Sequence, residues 1–180
     1  TLGIACCTAL ILSSLGLINS TTAVSGAQYA DDGVFKYDIM FVLRTPQQDD
    51  AKVLKKIQSD QRTQNATLFC NRSAFASAGE TAQVKRTVSI ITMKSSEEIS
   101  DYVNLKLTAG SLDFGKGNVI ITSQMAQDLG INVGGEIYLS SSDGVKRSAT
   151  VSGIVTNYTN HYVYMTDETY KEVFGAEPQC

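Results

Sequence analysis

The sequence predicts a mixed α+β domain, with helices packed on a mixed sheet, that follows the end of a transmembrane helix. Three observations lead to this prediction. The N-terminal segment is uncharged, since the first charged side chain in the chain is Asp31. From Phe35 onward the apolar residues alternate, which is the period of a strand. Helix-capping patterns and short apolar runs then succeed one another along the chain, which is typical of α+β folds.

The uncharged segment at residues 2–18 contains only Thr8, Ser13 and Ser14 as polar residues. As a helix it would span about 25 Å, close to the ~30 Å hydrocarbon core of a bilayer. Three interpretations are open: the end of a transmembrane helix, the apolar region of a signal peptide, or a buried core helix. The stretch Ala27–Ala30 matches a signal cleavage site only weakly. A core helix would carry a polar stripe, which this segment lacks, so the membrane helix is favoured.

A connector rich in Ser, Thr, Gly and Ala follows at residues 19–34. Val24, Ala27 and Ala30 recur in it at helical spacing, which favours a helix that continues to near Ala30 over a flexible linker. The chain therefore divides into the C-terminal part of a transmembrane helix (1–18), a juxtamembrane connector or helical stalk (19–34) and an α+β domain (35–180).

The alternating run at residues 35–44 predicts the first strand, with one strongly apolar face. The side chains of that face are Phe35, Tyr37, Ile39, Phe41 and Leu43. A helix follows, because Thr45 is a good N-cap, Pro46 suits the first helical position and Gln48 completes a capping box. The buried stripe of this helix is expected to be Val53, Leu54 and Ile57.

The middle of the chain predicts two strands, at residues 67–75 and 84–93. Ser95 and Glu98 then form the capping box of a short helix. A loop comes next, punctuated by Gly110, Gly115 and Gly117.

The last third of the chain predicts four strands and two helices. One helix is capped at Thr122 or Ser123 and ends at Gly130, and the other is capped at Thr166 and ends at Gly175. Asp143-Gly144 marks a tight hairpin between the second and third of the strands. The strands are expected at residues 118–121, 136–140, 146–158 and 161–165.

The apolar faces of these elements predict the core of the domain. We expect it to contain Tyr37, Ile39, Phe41, Leu54, Ile57, Val88, Ile90, Ile120, Leu129, Val151, Val155, Val163 and Phe174.

The composition excludes several classes of protein. The 180 residues make one domain, and the 43% apolar fraction supports a core, which excludes a disordered chain. The net charge is −3 and no stripe of Lys or Arg is present, so we expect no nucleic-acid partner.

Few residues could perform catalysis. His161 is the only histidine, and Cys70 is the only cysteine in the middle of the chain. Neither Cys70 nor any serine lies in a nucleophile elbow, and Gly115–Asn118 lacks the spacing of a phosphate-binding loop. We therefore expect no catalytic, cofactor-binding or metal-binding residues. A hydrolase that uses a cysteine or serine nucleophile is the competing hypothesis, and it would depend on His161.

Other polar features have simple structural interpretations. The pair Asp49-Asp50 suits the start of a helix, and Asp31-Asp32 is read as a solvated turn. A tyrosine cluster, Tyr158, Tyr162 and Tyr164, is read as strand packing and not as a ligand site. A disulfide between Cys70 and Cys180 is an open alternative to a buried free Cys70. Four glycosylation patterns are read as chance matches, at Asn19, Asn65, Asn71 and Asn157.

Two stretches of the chain resemble a known family. The first comprises Leu107–Leu112, Asn118–Thr122 and Leu129–Gly134, a leucine–glycine turn, a strand and a helix that ends in a glycine pattern. The second comprises Val151–Tyr158 and His161–Met165. In this order they resemble the extracytoplasmic domain of FtsX-like and MacB-like ABC transporter permeases, above all the Gram-positive members. The chain departs from the pattern at Gly135, where the family often has an acidic residue.

The resemblance implies a function and a set of partners. It implies a non-catalytic permease part in the cell membrane, with residues 35–180 on the extracytoplasmic side, that couples ATP hydrolysis by a partner to export or mechanical signalling. The implied partners are a cytoplasmic ABC ATPase subunit, a second permease copy, lipid around residues 1–18 and a protein outside the membrane. The family has further membrane helices, so the resemblance implies a fragment that stops before them. The alternative is a secreted or membrane-anchored binding module without a transport role.

Overall fold

A long helix, α1 (Leu2–Tyr29), leads into the folded part of the protein. The structure is a computed structural model that describes residues 2–30, 32–43, 50–141 and 143–178. Residues 3–26 of α1 are all exposed, and Gly3–Tyr29 is long and apolar enough to cross a membrane. The expected continuation of the helix past Ile18 is confirmed, and the exposure of α1 contradicts a buried core helix.

Four hydroxyl side chains on α1 donate hydrogen bonds within the helix itself. The hydroxyl of Thr8 donates to the carbonyl of Ile4 at 2.9 Å, and that of Ser14 donates to Leu10 at 2.8 Å. Thr21 and Thr22 bond in the same way, four residues back. Because these hydroxyls have internal partners, they lower the cost of placing the helix in lipid.

Four further helices and seven strands make up the rest of the described chain. The helices are α2 (Asp50–Gln58), α3 (Ser96–Tyr102), α4 (Ser123–Leu129) and α5 (Asp167–Phe174). The strands are β1 (Cys70–Ser77), β2 (Arg86–Met93), β3 (Leu107–Gly110), β4 (Asn118–Thr122), β5 (Glu136–Ser140), β6 (Lys146–Val155) and β7 (Tyr162–Thr166).

The strands form one mixed sheet in the order β3-β6-β4-β7-β2-β1-β5. Strand β5 also pairs with β6, so β1, β2, β7, β4, β6 and β5 close into a ring, and β3 lies beside it on β6. The β2–β7 and β4–β6 pairs are parallel, and the other pairs are antiparallel. A closed ring leaves few unpaired strand edges.

The alternation of side chains along the strands produces two cores. All six strands of the ring contribute to the first core, which α4 and α5 complete through residues such as Met125 and Tyr170. The second core lies on the opposite face of β2, β4 and β7, under α3 and the segment that follows α1. Neighbouring residues therefore belong to different cores: Ile121 to the first and Ile120 to the second.

The capping predictions agree well with the helix ends. The Ser95 side chain accepts a hydrogen bond from the Glu98 amide at the start of α3, and Thr166 accepts one from Thr169 at the start of α5. Gly130 and Gly175 are left-handed C-caps. Thr122 is the N-cap of α4 but makes no capping bond through its side chain. The expected caps Thr45, Pro46 and Gln48 lie outside the described residues.

The predicted first strand is wrong. In the described part of residues 35–44 only Phe35 forms a bridge, to Val103, and Ile39 and Phe41 are 68% and 70% exposed. The six strands of the ring already pair with one another on both sides, and the described residues of the run do not pair with the outer edge of β3. Alternation shows that a segment suits a strand, but it does not supply a partner edge.

The remaining core predictions are confirmed for most positions. Seven of the expected residues are buried, namely Val88, Ile90, Ile120, Leu129, Val151, Val155 and Val163. Tyr37 and Phe174 are partly buried against the two cores. Leu54 and Ile57 are only half-buried, because α2 buries no residue fully. Strand β3 was predicted as loop; its four residues are all exposed and show no alternation.

The two cores and the exposed run predict opposite mutational effects. We expect Ile120→Ala to lower the free energy of unfolding by about 2–5 kcal/mol, because it opens a cavity in the second core. Phe41→Ala removes an exposed ring and should change it by less than about 0.5 kcal/mol. Urea denaturation of the two variants, followed by circular dichroism, measures both values. A large loss for Phe41→Ala would mean that the run is packed.

Candidate functional site

The point where α1 enters the folded domain is built around a buried amide. Gln28 lies one residue before the end of α1 and is 0% exposed. Its Nε2 donates to Oδ1 of Asn157 at 3.0 Å, and its Oε1 accepts from the backbone N–H of Tyr158 at 3.1 Å. The last turn of α1 is therefore bonded to the β6–β7 loop, 129 residues away in the sequence.

The backbone of Gln28 ties the same turn to the chain that follows it. Its carbonyl oxygen accepts from the N–H groups of Val34 and Phe35, at 3.1 and 3.0 Å. Gly33 N–H donates to the carbonyl of Ala30 at 2.7 Å. These bonds satisfy carbonyls that a helix end otherwise leaves without a partner. Backbone hydrogen bonds thus hold the end of α1 against residues 33–35.

Gly33 is the residue that permits this close reversal. A Cβ at position 33 would lie 2.8 Å from the Ala30 oxygen and 2.9 Å from both the carbonyl carbon and oxygen of Gln28. Backbone atoms cannot swing aside as a flexible side chain can. Glycine is required here for close backbone approach.

The β6–β7 loop is shaped by Asn157, which is 8% exposed. Its Nδ2 donates to the carbonyl oxygens of Thr159 and Asn160, while its Oδ1 accepts from Gln28. Asn160 has a φ of +59°, in the left-handed region. Both polar atoms of the Asn157 amide are therefore used, Nδ2 within the loop and Oδ1 for α1.

The segment after the reversal is bonded to α3 and the chain that follows it. The Asn104 N–H donates to the Val34 carbonyl at 2.7 Å, and the Lys36 N–H donates to the Tyr102 carbonyl at 3.0 Å. The Lys106 ammonium donates to the Asp32 carbonyl at 2.9 Å. The junction thus joins three elements: the end of α1, the β6–β7 loop and the chain around α3.

An aromatic cluster packs beside these bonds. The Phe35 ring lies 5.8 Å from Tyr29, 5.2 Å from Tyr37 and 5.8 Å from Tyr162, measured between ring centroids. Tyr162 stacks on Tyr164 at 5.8 Å. Burial, with the neighbouring tyrosines, raises the pKa of Tyr37 to about 12. Burial raises the pKa of Tyr164 still further above its ordinary value.

Two of the three tyrosines of the predicted cluster pack on the sheet, and the third does not. Tyr162 and Tyr164 are buried and stacked, as strand packing requires, but Tyr158 is 47% exposed and belongs to the loop. The part of Tyr158 that contributes to the junction is its backbone N–H.

The residues considered for catalysis are not brought together as a catalytic device. Cys70 is buried and disulfide-bonded, so it offers no thiolate. Cys180, the partner considered as an alternative to a free Cys70, lies outside the described residues. The carbonyl of Pro178 is 3.9 Å from the Cys70 sulfur. His161 contacts Asp128, with Nε2 3.8 Å from the carboxylate.

Other candidates also have structural surroundings. Lys116 of the glycine-flanked stretch pairs with Glu168 at 3.7 Å. Asp50 begins α2, as expected for an acidic residue, while Asp31 and Asp49 lie outside the described residues. Across the described ranges, no group of three His, Cys, Asp or Glu side chains could hold a metal ion.

Gln28, Gly33 and Asn157 are not recognisable as a site from the sequence. A polar residue at the end of an apolar helix and a glycine directly after it are compatible with a tight junction. Their partner in the β6–β7 loop, however, could not be identified from local pattern.

The comparison with protein families agrees with this architecture. The family model described as MacB-like periplasmic core domain matches residues 1–178. The chain belongs to this family of ABC permease domains. The sequence resemblance to FtsX-like and MacB-like permeases is thereby confirmed, as is the mixed α+β fold.

Two solved structures are similar to the chain. The extracellular domain of the noncanonic ABC-type transporter YknZ from Gram-positive bacteria has 17% identity and a TM-score of 0.50, over 70% of this chain and 66% of that one. The periplasmic region of MacB from Actinobacillus actinomycetemcomitans has 13% identity and a TM-score of 0.44, over 71% of this chain and 59% of that one. The chain thus spans under two thirds of either structure. No curated protein matches the sequence.

The close reversal at Gly33 predicts a specific loss. We expect Gly33→Ala to lower the free energy of unfolding by about 1–3 kcal/mol, because the new Cβ displaces the carbonyls that hold Val34 and Phe35. Gly79→Ala is the control, since a Cβ there would meet only Ala82, at an ordinary 3.8 Å. Urea denaturation measures both. Equal effects of the two substitutions would contradict a tight junction.

The aromatic cluster predicts a loss of stability at alkaline pH. Tyr37 ionises near pH 10 in the unfolded chain but at about 12 in the folded one. The contribution of the neutral Tyr37 hydroxyl to the free energy of unfolding is therefore complete below pH 10 and is lost as the pH rises from 10 to 12. We expect Tyr37→Phe to reduce the fall in urea midpoint between pH 9 and pH 11. Tyr158→Phe, at an exposed ring, should leave the fall unchanged, and the same result for Tyr37→Phe would contradict the prediction.

Proposed function

We propose that this chain is the extracytoplasmic domain and first membrane helix of an ABC transporter permease subunit. Residues 1–18 lie in the cell membrane, residues 19–34 form a helical stalk and its turn, and residues 35–180 form the domain outside. Three observations support this proposal: the family, the exposed apolar helix α1 and the bonded junction. The burial of Gln28 carries it, because a helix bonded to a domain in this way moves that domain when it moves.

The stalk is a rigid element in this proposal. From Asn19 to Tyr29 the helix is about 16 Å long, so the stalk holds the domain at that distance from the bilayer surface. Four hydrogen bonds made by Gln28 join the end of α1 to the β6–β7 loop and to residues 34 and 35. Packed cores respond to a displacement as rigid bodies and do not deform continuously. A tilt or shift of the membrane helix is then passed to the whole domain.

The energy for such a movement comes from a partner in this proposal. An ABC ATPase on the cytoplasmic side hydrolyses the ATP, since residues 1–180 themselves carry no phosphate-binding loop. A second permease copy completes the membrane unit, and the domain performs no catalysis of its own. The disulfide at Cys70 supports this last point, because it removes the candidate nucleophile.

The test uses the complete permease that carries this domain, reconstituted with its ATPase in lipid nanodiscs. Spin labels on Ser73→Cys, at an exposed position of β1, report the distance between the extracytoplasmic domains of the two permease copies. Cys6→Ser and Cys7→Ser prevent labelling of the exposed thiols on α1. We expect ATP to change the distance in the parent protein, and Gln28→Ala to lose most of that change.

Gln58→Ala is the matched control, since its amide also donates to a backbone carbonyl, that of Ala66 at 2.8 Å, but on the outlying helix α2. This variant should keep the response. A full response in Gln28→Ala would show that the junction does not transmit the motion. Failure of any ABC ATPase to co-purify with the permease would overturn the assignment itself.

A further inference from the structure

The loop that holds the stalk is itself held at its far end. It runs from Thr156 to His161, between β6 and β7. At one end Asn157 and Tyr158 bond to Gln28. At the other end the His161 carbonyl accepts from the Ser89 N–H of β2 at 2.8 Å, and the His161 ring contacts Asp128 of α4 at 3.8 Å.

Asp128 gathers three side chains at this far end. Its Oδ2 accepts from Nε of Arg86 at 3.0 Å, and its Oδ1 accepts from Nε2 of Gln124 at 3.1 Å. The same Oδ2 faces Nε2 of His161. Hydrogen bonds from Arg86 and Gln124 hold the pKa of this carboxyl below its usual range. Asp128 is therefore a fixed negative charge that joins α4, β2 and the loop.

The conformation of the loop needs such support. Asn160 adopts a φ of +59°, a left-handed conformation that costs of order 1 kcal/mol for a residue other than glycine and less for asparagine than for most. Strained conformations of this kind persist only where the surroundings over-determine them. Here the Asn157 amide bonds the Asn160 carbonyl directly. Gln28 holds one end of the loop, and Ser89 and Asp128 contact His161 at the other.

We propose that Asp128 and His161 are positioning residues for the stalk junction, which hold the β6–β7 loop so that Asn157 and Tyr158 meet Gln28. The position of the stalk is thereby coupled to α4 and β2, away from the membrane helix. This inference rests on the proposed function for its meaning, but the coupling is a property of the domain and of α1 alone.

The test measures amide hydrogen exchange of the whole chain in detergent micelles by NMR. The reporter is the N–H of Tyr158, because it donates directly to Gln28. We expect Asp128→Asn to speed its exchange about three- to tenfold, since the charge-assisted bond from Arg86 becomes a neutral one and the contact with the His161 ring is weakened. Asp128→Glu, which keeps the charge, should recover part of the protection. His161→Gln is a milder second variant and should change it in the same direction.

Asp143→Asn is the matched control. It weakens a similar pair, Asp143 with Arg147 at 2.8 Å, in the β5–β6 hairpin, and should leave Tyr158 unchanged. The amides of Ile120 and Val163 report global opening and should stay protected in every variant. Faster exchange of those core amides in step with Tyr158 would mean a general loss of stability and would overturn the positioning role.

A double-mutant cycle tests the coupling directly. In Gln28→Ala the Tyr158 amide has lost its acceptor, so adding Asp128→Asn should have little further effect on it. If Asp128→Asn speeds exchange by the same factor with and without Gln28, the two sites are independent and the inference is wrong. None of these measurements needs an ATPase or a nucleotide, so their outcome is separate from that of the transporter experiment.

Discussion

The burial of the Gln28 amide is the constraint on which the rest of the junction depends. A polar side chain removed from water is costly unless its donors and acceptors find partners. Both side-chain atoms and the backbone carbonyl of Gln28 have such partners. These partners come from two segments: residues 34 and 35, which follow the close turn at Gly33, and Asn157 and Tyr158 of the β6–β7 loop. One amide therefore determines the local course of two distant segments.

The closed ring of strands provides the scaffold on which this junction rests. Its interior holds one core, and the outer face of β2, β4 and β7 holds the other. The junction is built on that outer face, where Phe35, Tyr162 and Tyr164 pack together. A sheet buried on both faces resists local deformation, so the residues that contact α1 have a firm base.

The success of sequence reasoning varied with the range of the interactions concerned. Caps such as Ser95, Thr166 and Gly130 were predictable, because the physics of a helix end is contained within four residues. The burial of Phe41 was predicted wrongly, since alternation does not reveal whether a partner edge is free. Gln28 was missed because its partner Asn157 is remote in the sequence. The family resemblance was recognisable from motifs in β4, α4, β6 and β7, which form local elements.

Because α1 runs without a break into the bonded junction, the rotation of the domain about the axis of α1 is fixed. Successive residues of an α-helix are rotated by about 100° and raised by about 1.5 Å. Gln28 presents its amide to one loop on one side of the helix. In the proposed arrangement, the number of residues between the bilayer and Gln28 therefore sets the direction in which the domain faces. A single residue added to the stalk would turn the whole domain by about 100° but raise it by only about 1.5 Å. In that arrangement, the length of the stalk controls the orientation of the domain more strongly than its distance from the bilayer.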